Sequence, residues 1–121
     1  MSHWTHVTGA IRVDGVPSLE RKGKMLEFVK SCLGKTCDFE GTEKEWKECT
    51  VPRGSEGSIQ YLLHEYSDGL PWLIVSIWGD LRDYDDKEAI FHWFKRACDD
   101  LKMVRQGVIL VDNEARTYDR E

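Results

Sequence analysis

Between Ser58 and Leu81 the chain holds two runs of alternating side chains separated by Ser67-Asp68-Gly69. The first run places Ile59, Tyr61 and Leu63 on one side and Gln60, Leu62, His64 and Tyr66 on the other. The second, Leu70 to Leu81, is rich in Ile, Val and Trp. A period of two belongs to extended strands, and the Asp-Gly turn predicts that the two runs form a hairpin. A lone hairpin is marginal in water, so the rest of the chain must add strands and cover one face.

The remaining signals supply both. His3 to Val13 reads as a strand closed by Asp14-Gly15. Pro17 and Ser18 introduce a helix, with Ser18 as its N-cap. Met25, Phe28, Val29 and Cys32 share one face of it, and Gly34 stands where a C-terminal cap belongs. Asp85 and Glu88 form a capping box for a second helix over 86–101, which buries Ile90, Phe91, Phe94, Ala97, Cys98 and Leu101. A last strand runs from Val104 to Asp112. The reading is one domain over residues 1–113 and a frayed polar tail over 114–121.

Residues 35–57 admit two readings. Thr42 with Glu45 makes a capping box for a short helix carrying Trp46. Alternatively, residues 45–51 add an extra strand, turned back by Pro52-Arg53-Gly54 at the mobile tip of a hairpin. The extra strand is favoured.

The order strand, helix, strand, strand, helix, strand predicts an α+β two-layer sandwich, resembling the ferredoxin-like βαββαβ architecture. Two helices cover one face of an antiparallel sheet, and right-handed crossovers bring the first and third core strands together in the middle. At 121 residues such a domain buries roughly two-thirds of its unfolded surface, enough for one core.

One sheet face then remains open. Alternation turns Val7, Ile11, Val13, Leu73, Val75 and Ile77 toward the helices. It leaves Trp4, His6, Thr8 and Arg12 of the first strand on the open side, with Trp72, Ile74, Ser76, Trp78 and Asp80 of the third. Gln60, Leu62, His64 and Tyr66 come from the second. Aromatic patches of this kind mark partner or ligand sites. The expected uses are a homodimer interface, a docking surface for another protein, or a platform that stacks a nucleotide on Trp4 or Trp78 with Arg12 at its phosphate. A competing reading folds residues 35–57 over the sheet and makes Trp4 and Trp78 ordinary core.

Charge narrows the partners. Seventeen basic against twenty-two acidic side chains give −5, which argues against duplex nucleic acid or an anionic membrane. The first 35 residues carry six basic and three acidic groups, so Arg12, Arg21, Lys22 and Lys24 form a local basic patch. An RNA-recognition module is excluded, because the third strand lacks the basic-glycine start and the chain is acidic. Cys32, Cys37, Cys49 and Cys98 have neither zinc-knuckle spacing nor the setting of a disulfide framework. Asp80, Asp83, Asp85 and Asp86 read as helix-capping and loop charge rather than a cation site. A catalytic group of His6, His64 and Asp80 would need all three side by side. No phosphate loop, nucleophile elbow or HExxH motif occurs, and no cofactor is expected. Met1 precedes polar Ser2-His3 with no apolar leader, so a cytoplasmic location is expected.

The opening Trp4-Thr5-His6-Val7-Thr8-Gly9-Ala10-Ile11-Arg12-Val13-Asp14 resembles the start of small proteins encoded by bacteriophages and prophages. That resemblance implies a non-enzymatic binder acting on host defence, by blocking a protein surface or sequestering a nucleotide signal. It carries no residue roles with it. Together these readings make the chain a binding protein whose expected contacts are Trp4, His6, Arg12, Arg53, His64, Tyr66, Trp72 and Trp78. A host protein is the expected partner, and a nucleotide held by a dimer is the alternative.

Overall fold

The computed structural model describes residues 3–14, 25–36, 49–66 and 72–118. The chain forms β1 (Trp4–Asp14), α1 (Met25–Leu33), β2 (Gln60–Tyr66), β3 (Trp72–Arg82), α2 (Lys87–Leu101), β4 (Val104–Val111) and β5 (Glu114–Thr117). The strands make one antiparallel sheet in the order β2-β3-β1-β4-β5. β1 and β3 are adjacent at its middle, and their eleven pairs, from Trp4 opposite Arg82 to Asp14 opposite Trp72, run without a shift. Among the described residues no helix is long and apolar enough to cross a membrane.

The inward positions follow the alternation. Val7, Ile11 and Val13 of β1, Leu73, Val75, Ile77 and Leu81 of β3, and Ile109 and Val111 of β4 are all buried. They join Val29 and Leu33 of α1 and Ile90, Phe91, Phe94, Ala97, Cys98 and Leu101 of α2 in one core. The stripe on α1 is narrower than its spacing suggests: Phe28 remains exposed, as does Leu26. The end of α1 is closed by side chains from both layers. Trp93 Nε1–H donates to Leu33 O at 2.7 Å, and the Tyr61 hydroxyl donates to Gly34 O at 2.7 Å. Carbonyls that a helix end leaves without partners are thereby satisfied. Gly34 takes φ +109°, as a C-terminal cap requires.

Three details differ from the sequence reading. α2 is capped one residue later, by Asp86, whose carboxylate accepts from Ala89 N–H at 3.0 Å, so Asp85–Glu88 is not the capping box. Glu88 instead holds Arg116. Second, residues 114–117 of the polar stretch after β4 are not a frayed tail. Asp112, at φ +54°, and Asn113 turn the chain into β5, which pairs along β4. Arg116 anchors it by lying 3.9 Å over the Phe91 ring.

The third difference lies in the segment before β2. Among the described residues the sheet has one strand beyond the four-stranded core, and that strand is β5. Residues 49–51 are not in a strand, and 45–48 lie outside the described residues, as do Thr42, Ser18 and Cys37. The turn at 53–57 is fastened to the end of β3: Ser55 N–H donates to Arg82 O and Arg82 N–H to Glu56 O, both at 2.9 Å. Gly57, at φ +76°, lies so close that a Cβ there would stand 1.9 Å from Asp80 O. Cys49 is disulfide-bonded, while Cys32 and Cys98 are free thiols. The expectation that the cysteines lack the setting of a disulfide framework fails at Cys49, because spacing alone does not reveal which side chains the fold brings together.

The ladder makes core and open face energetically unequal. Ile11→Ala should lower the unfolding free energy by about 2–5 kcal/mol, since it removes a fully buried side chain at the sheet centre. Leu62→Ala, at a position 53 % exposed, should cost under about 1 kcal/mol. Equilibrium urea denaturation of the two variants checks both values.

Candidate functional site

The open face is laid out by register. Reading across the sheet, one row is Gln60, Trp78, Thr8 and Leu110, and the next is Leu62, Ser76, Ala10 and Val108. Trp4, Leu62, Trp78, Val108 and Leu110 are five of the eight large apolar side chains exposed among the described residues. Trp4 is 38 % and Trp78 46 % exposed, so the described part of residues 35–57 does not turn them into core. Val108 and Leu110 had no place in the sequence reading. They sit in the unbroken apolar run Val108–Val111, where alternation gives no sign of which residues face out.

The residues singled out from sequence separate into two ends of this face. One end holds Trp4 and His6, and Trp78 stands in the next row inward. His6 lies opposite Asp80, and its Nδ1 is 2.6 Å from Asp80 Oδ1, with both side chains about two-thirds exposed. The His6 backbone is fixed to Asp112, which accepts its N–H at 3.0 Å and returns its own N–H to His6 O at 2.8 Å. The hydrogen bond to Asp80 raises the His6 pKa above 6.5, against a smaller opposing effect of desolvation. The bond from the His6 backbone is the main cause of a lowered Asp112 pKa.

The other end holds Arg12, His64 and Trp72. The Arg12 guanidinium lies 4.7 Å above the Trp72 ring. Arg12 Nε–H donates to Asp14 Oδ1 at 3.2 Å, and Arg105 Nη1–H donates to Asp14 Oδ2 at 3.1 Å. These bonds, Arg105's first, hold the Asp14 carboxyl below its usual range. Tyr66 pairs with Trp72 in the ladder, but its side chain is outside the described residues. A hollow of about 660 Å³ opens beside Arg12 and Trp72, bordered across β4 by Arg105, Gln106 and Val108.

This layout corrects two groupings. His64 pairs with Ile74, six residues along β3 from Asp80, so about 20 Å of strand separates it from the His6–Asp80 pair. The triad of His6, His64 and Asp80 is therefore not assembled. Arg12 lies four residues along β1 from Thr8, the partner of Trp78, and eight from Trp4. The aromatic ring beside it is Trp72. Arg53 stands outside the five strands, in an isolated bridge with Ser58, and Arg21, Lys22 and Lys24 fall outside the described residues.

The remaining polar groups have structural tasks. Asp83 accepts from His3 N–H and from the Ser55 hydroxyl, both at 3.3 Å, and Asp86 caps α2. Burial pushes the Cys98 thiol up to about 12 and also raises Cys32, so neither is an activated nucleophile. Among the described residues no three His, Cys, Asp or Glu side chains form a metal-binding group. Compared with known proteins, no family model, curated protein or solved structure matches the chain.

The His6–Asp80 contact has a defined pH signature. His6 is protonated more readily in the folded chain than its ordinary value of 6.5. The stabilisation is therefore complete below the unfolded pKa and fades as pH rises through the folded value. A proton NMR titration of the imidazole should give a midpoint above 6.5, and Asp80→Asn should return it toward that value.

Proposed function

We propose that the chain is a non-enzymatic binding protein that docks another protein on its open sheet face. The observation that carries the reading is the gathering of Trp4, Leu62, Trp78, Val108 and Leu110 on one uncovered surface. Strand spacing and rise give this face an area of roughly 650 Å², close to the roughly 800 Å² that each partner contributes to a standard interface. Trp78 stands near its centre, between Gln60 and Thr8, where binding energy concentrates.

The partner's chemistry follows from charge. The chain carries −5, and at this sheet end three acids, Asp80, Asp83 and Glu56, outnumber Arg82 and His6, with which they pair. A protein with an apolar patch bordered by Lys and Arg is the occupant such a surface attracts and orients. The amino-terminal resemblance to phage-encoded proteins adds a bacterial host protein as the partner, with inhibition by surface blocking as the outcome. The five-stranded α+β core then serves as a rigid carrier of the face. A second copy of the chain is the competing occupant.

Photo-crosslinking distinguishes them. A crosslinker at Leu62 should trap one host protein, and Leu110→Glu should abolish that adduct while Lys95→Glu on α2 leaves it. Trp78→Ala should weaken binding to the trapped protein by about 2 kcal/mol or more. Light scattering that finds a dimer broken by Leu110→Glu would assign the face to a second copy and overturn the host-protein reading. An adduct indifferent to Leu110→Glu would overturn the face itself.

A further inference from the structure

The basic end of the open face is built by an irregularity that the docking reading does not use. β4 pairs regularly with β1 from Val111 opposite Val7 to Gln106 opposite Arg12, and the next pair is Val104 opposite Val13. Arg105 is thereby passed over, as in a β-bulge. Val104 is buried, whereas Arg105 and Gln106 are both exposed. In a regular strand one of two successive residues would face the helices. The bulge puts two in succession outside, and Arg105 reaches Asp14 from there.

Two guanidiniums, Arg12 and Arg105, thus converge on one carboxylate and leave one positive charge in excess. Each guanidinium has five N–H donors, and each commits one to Asp14. They border the hollow of about 660 Å³, whose apolar lining includes Ala10, Ile74 and Val108 together with the rings of Trp72 and Tyr118. That volume falls within the range of small-molecule sites and far exceeds what a lone phosphate needs. His64 stands in the same row, beyond Ile74.

We infer that this hollow binds a phosphate-bearing small molecule with a planar part, of the size and chemistry of a nucleoside monophosphate. Arg12 and Arg105 take the phosphate, since a guanidinium fork matches its oxygens in pairs. Ala10, Ile74 and Val108 receive the planar part, and Gln106 offers both a donor and an acceptor to its edge. Asp14 is a positioning residue: it spaces the two guanidiniums without neutralising both. The Arg12 guanidinium over Trp72 is held from below by the ring. The site shares only Val108 with the docking face, and its phosphate contacts, Arg12 and Arg105, lie outside that face, so Arg105→Ala tests it separately from the docking reading.

The test is an NMR titration of the full chain with the four ribonucleoside 5′-monophosphates, inorganic phosphate, adenosine and a hexaglutamate peptide. At least one monophosphate should move the Nε–H resonances of Arg12 and Arg105 and saturate, with phosphate and adenosine alone binding much more weakly. Arg105→Ala, at a side chain 63 % exposed, should leave the spectrum folded. It should also cost about tenfold or more in affinity, the scale of one charge-assisted hydrogen bond. Asp14→Asn should alter affinity by releasing the guanidiniums, which an inert surface residue would not do. No shift with any monophosphate, or wild-type affinity in Arg105→Ala, would overturn the assignment. Hexaglutamate binding as tightly as the best nucleotide would overturn it equally.

Discussion

The eleven-pair ladder between β1 and β3 fixes every other feature of this fold. Each strand lies at the centre of the sheet, so each must bury one side completely, and a period of two leaves no freedom about the other. With Val7, Ile11 and Val13 inside, Trp4, His6, Thr8 and Arg12 are outside. With Leu73, Val75, Ile77 and Leu81 inside, Trp72, Trp78 and Asp80 are outside. A slip of one residue would exchange the two sets and place tryptophan, histidine and arginine in the core. The open face is therefore as precisely arranged as the core, although almost none of its own contacts hold it there.

The surrounding elements decide which parts of that face are bordered. β5 closes the β4 edge, and Arg116 ties it to α2 through Glu88 and the Phe91 ring. At the opposite corner the 53–57 turn binds the end of β3 through Ser55, Glu56 and Arg82. Gly57 is required there, because any side chain would strike Asp80 O. Trp93 and Tyr61, reaching from different layers, close the carboxyl end of α1. The helices therefore stay on their side, and the described residues leave the outward rows uncovered.

Much of this was legible because burial writes periodicity into sequence. The buried stripe of α2 and the inward faces of β1 and β3 follow from spacing alone. What escaped depended on tertiary partners. β5 consists of Glu114, Ala115, Arg116 and Thr117, all exposed, so it has no apolar alternation to read. Only the Asp112-Asn113 turn announces it. Asp86 rather than Asp85 caps α2, and Glu88 pairs with Arg116 across to β5 instead of closing a capping box. The bulge at Arg105 leaves no compositional trace, and the distance from His6 to His64 depended on a register that no local signal specifies.

The two ends of the open face differ in a way that follows from their neighbours. At the first, His6 meets a carboxylate of its own, and the hydrogen bond to Asp80 raises its pKa, so its charge tends to cancel that of Asp80. At the second, two guanidiniums share one carboxylate and a positive charge survives. Between them lies the apolar band of Leu62, Trp78, Val108 and Leu110. Because Thr8 and Arg12 belong to the same strand, the Trp78 row lies about 13 Å from the basic end, slightly beyond the Debye length at physiological salt. An anion at Arg12 and Arg105 would be screened from a distant charge, yet it would sit at the rim of anything large enough to cover the band. On the two proposals above, a protein docked on Trp78 and a phosphate held by Arg105 would be coupled by contact rather than by field, through the edge where the two footprints meet.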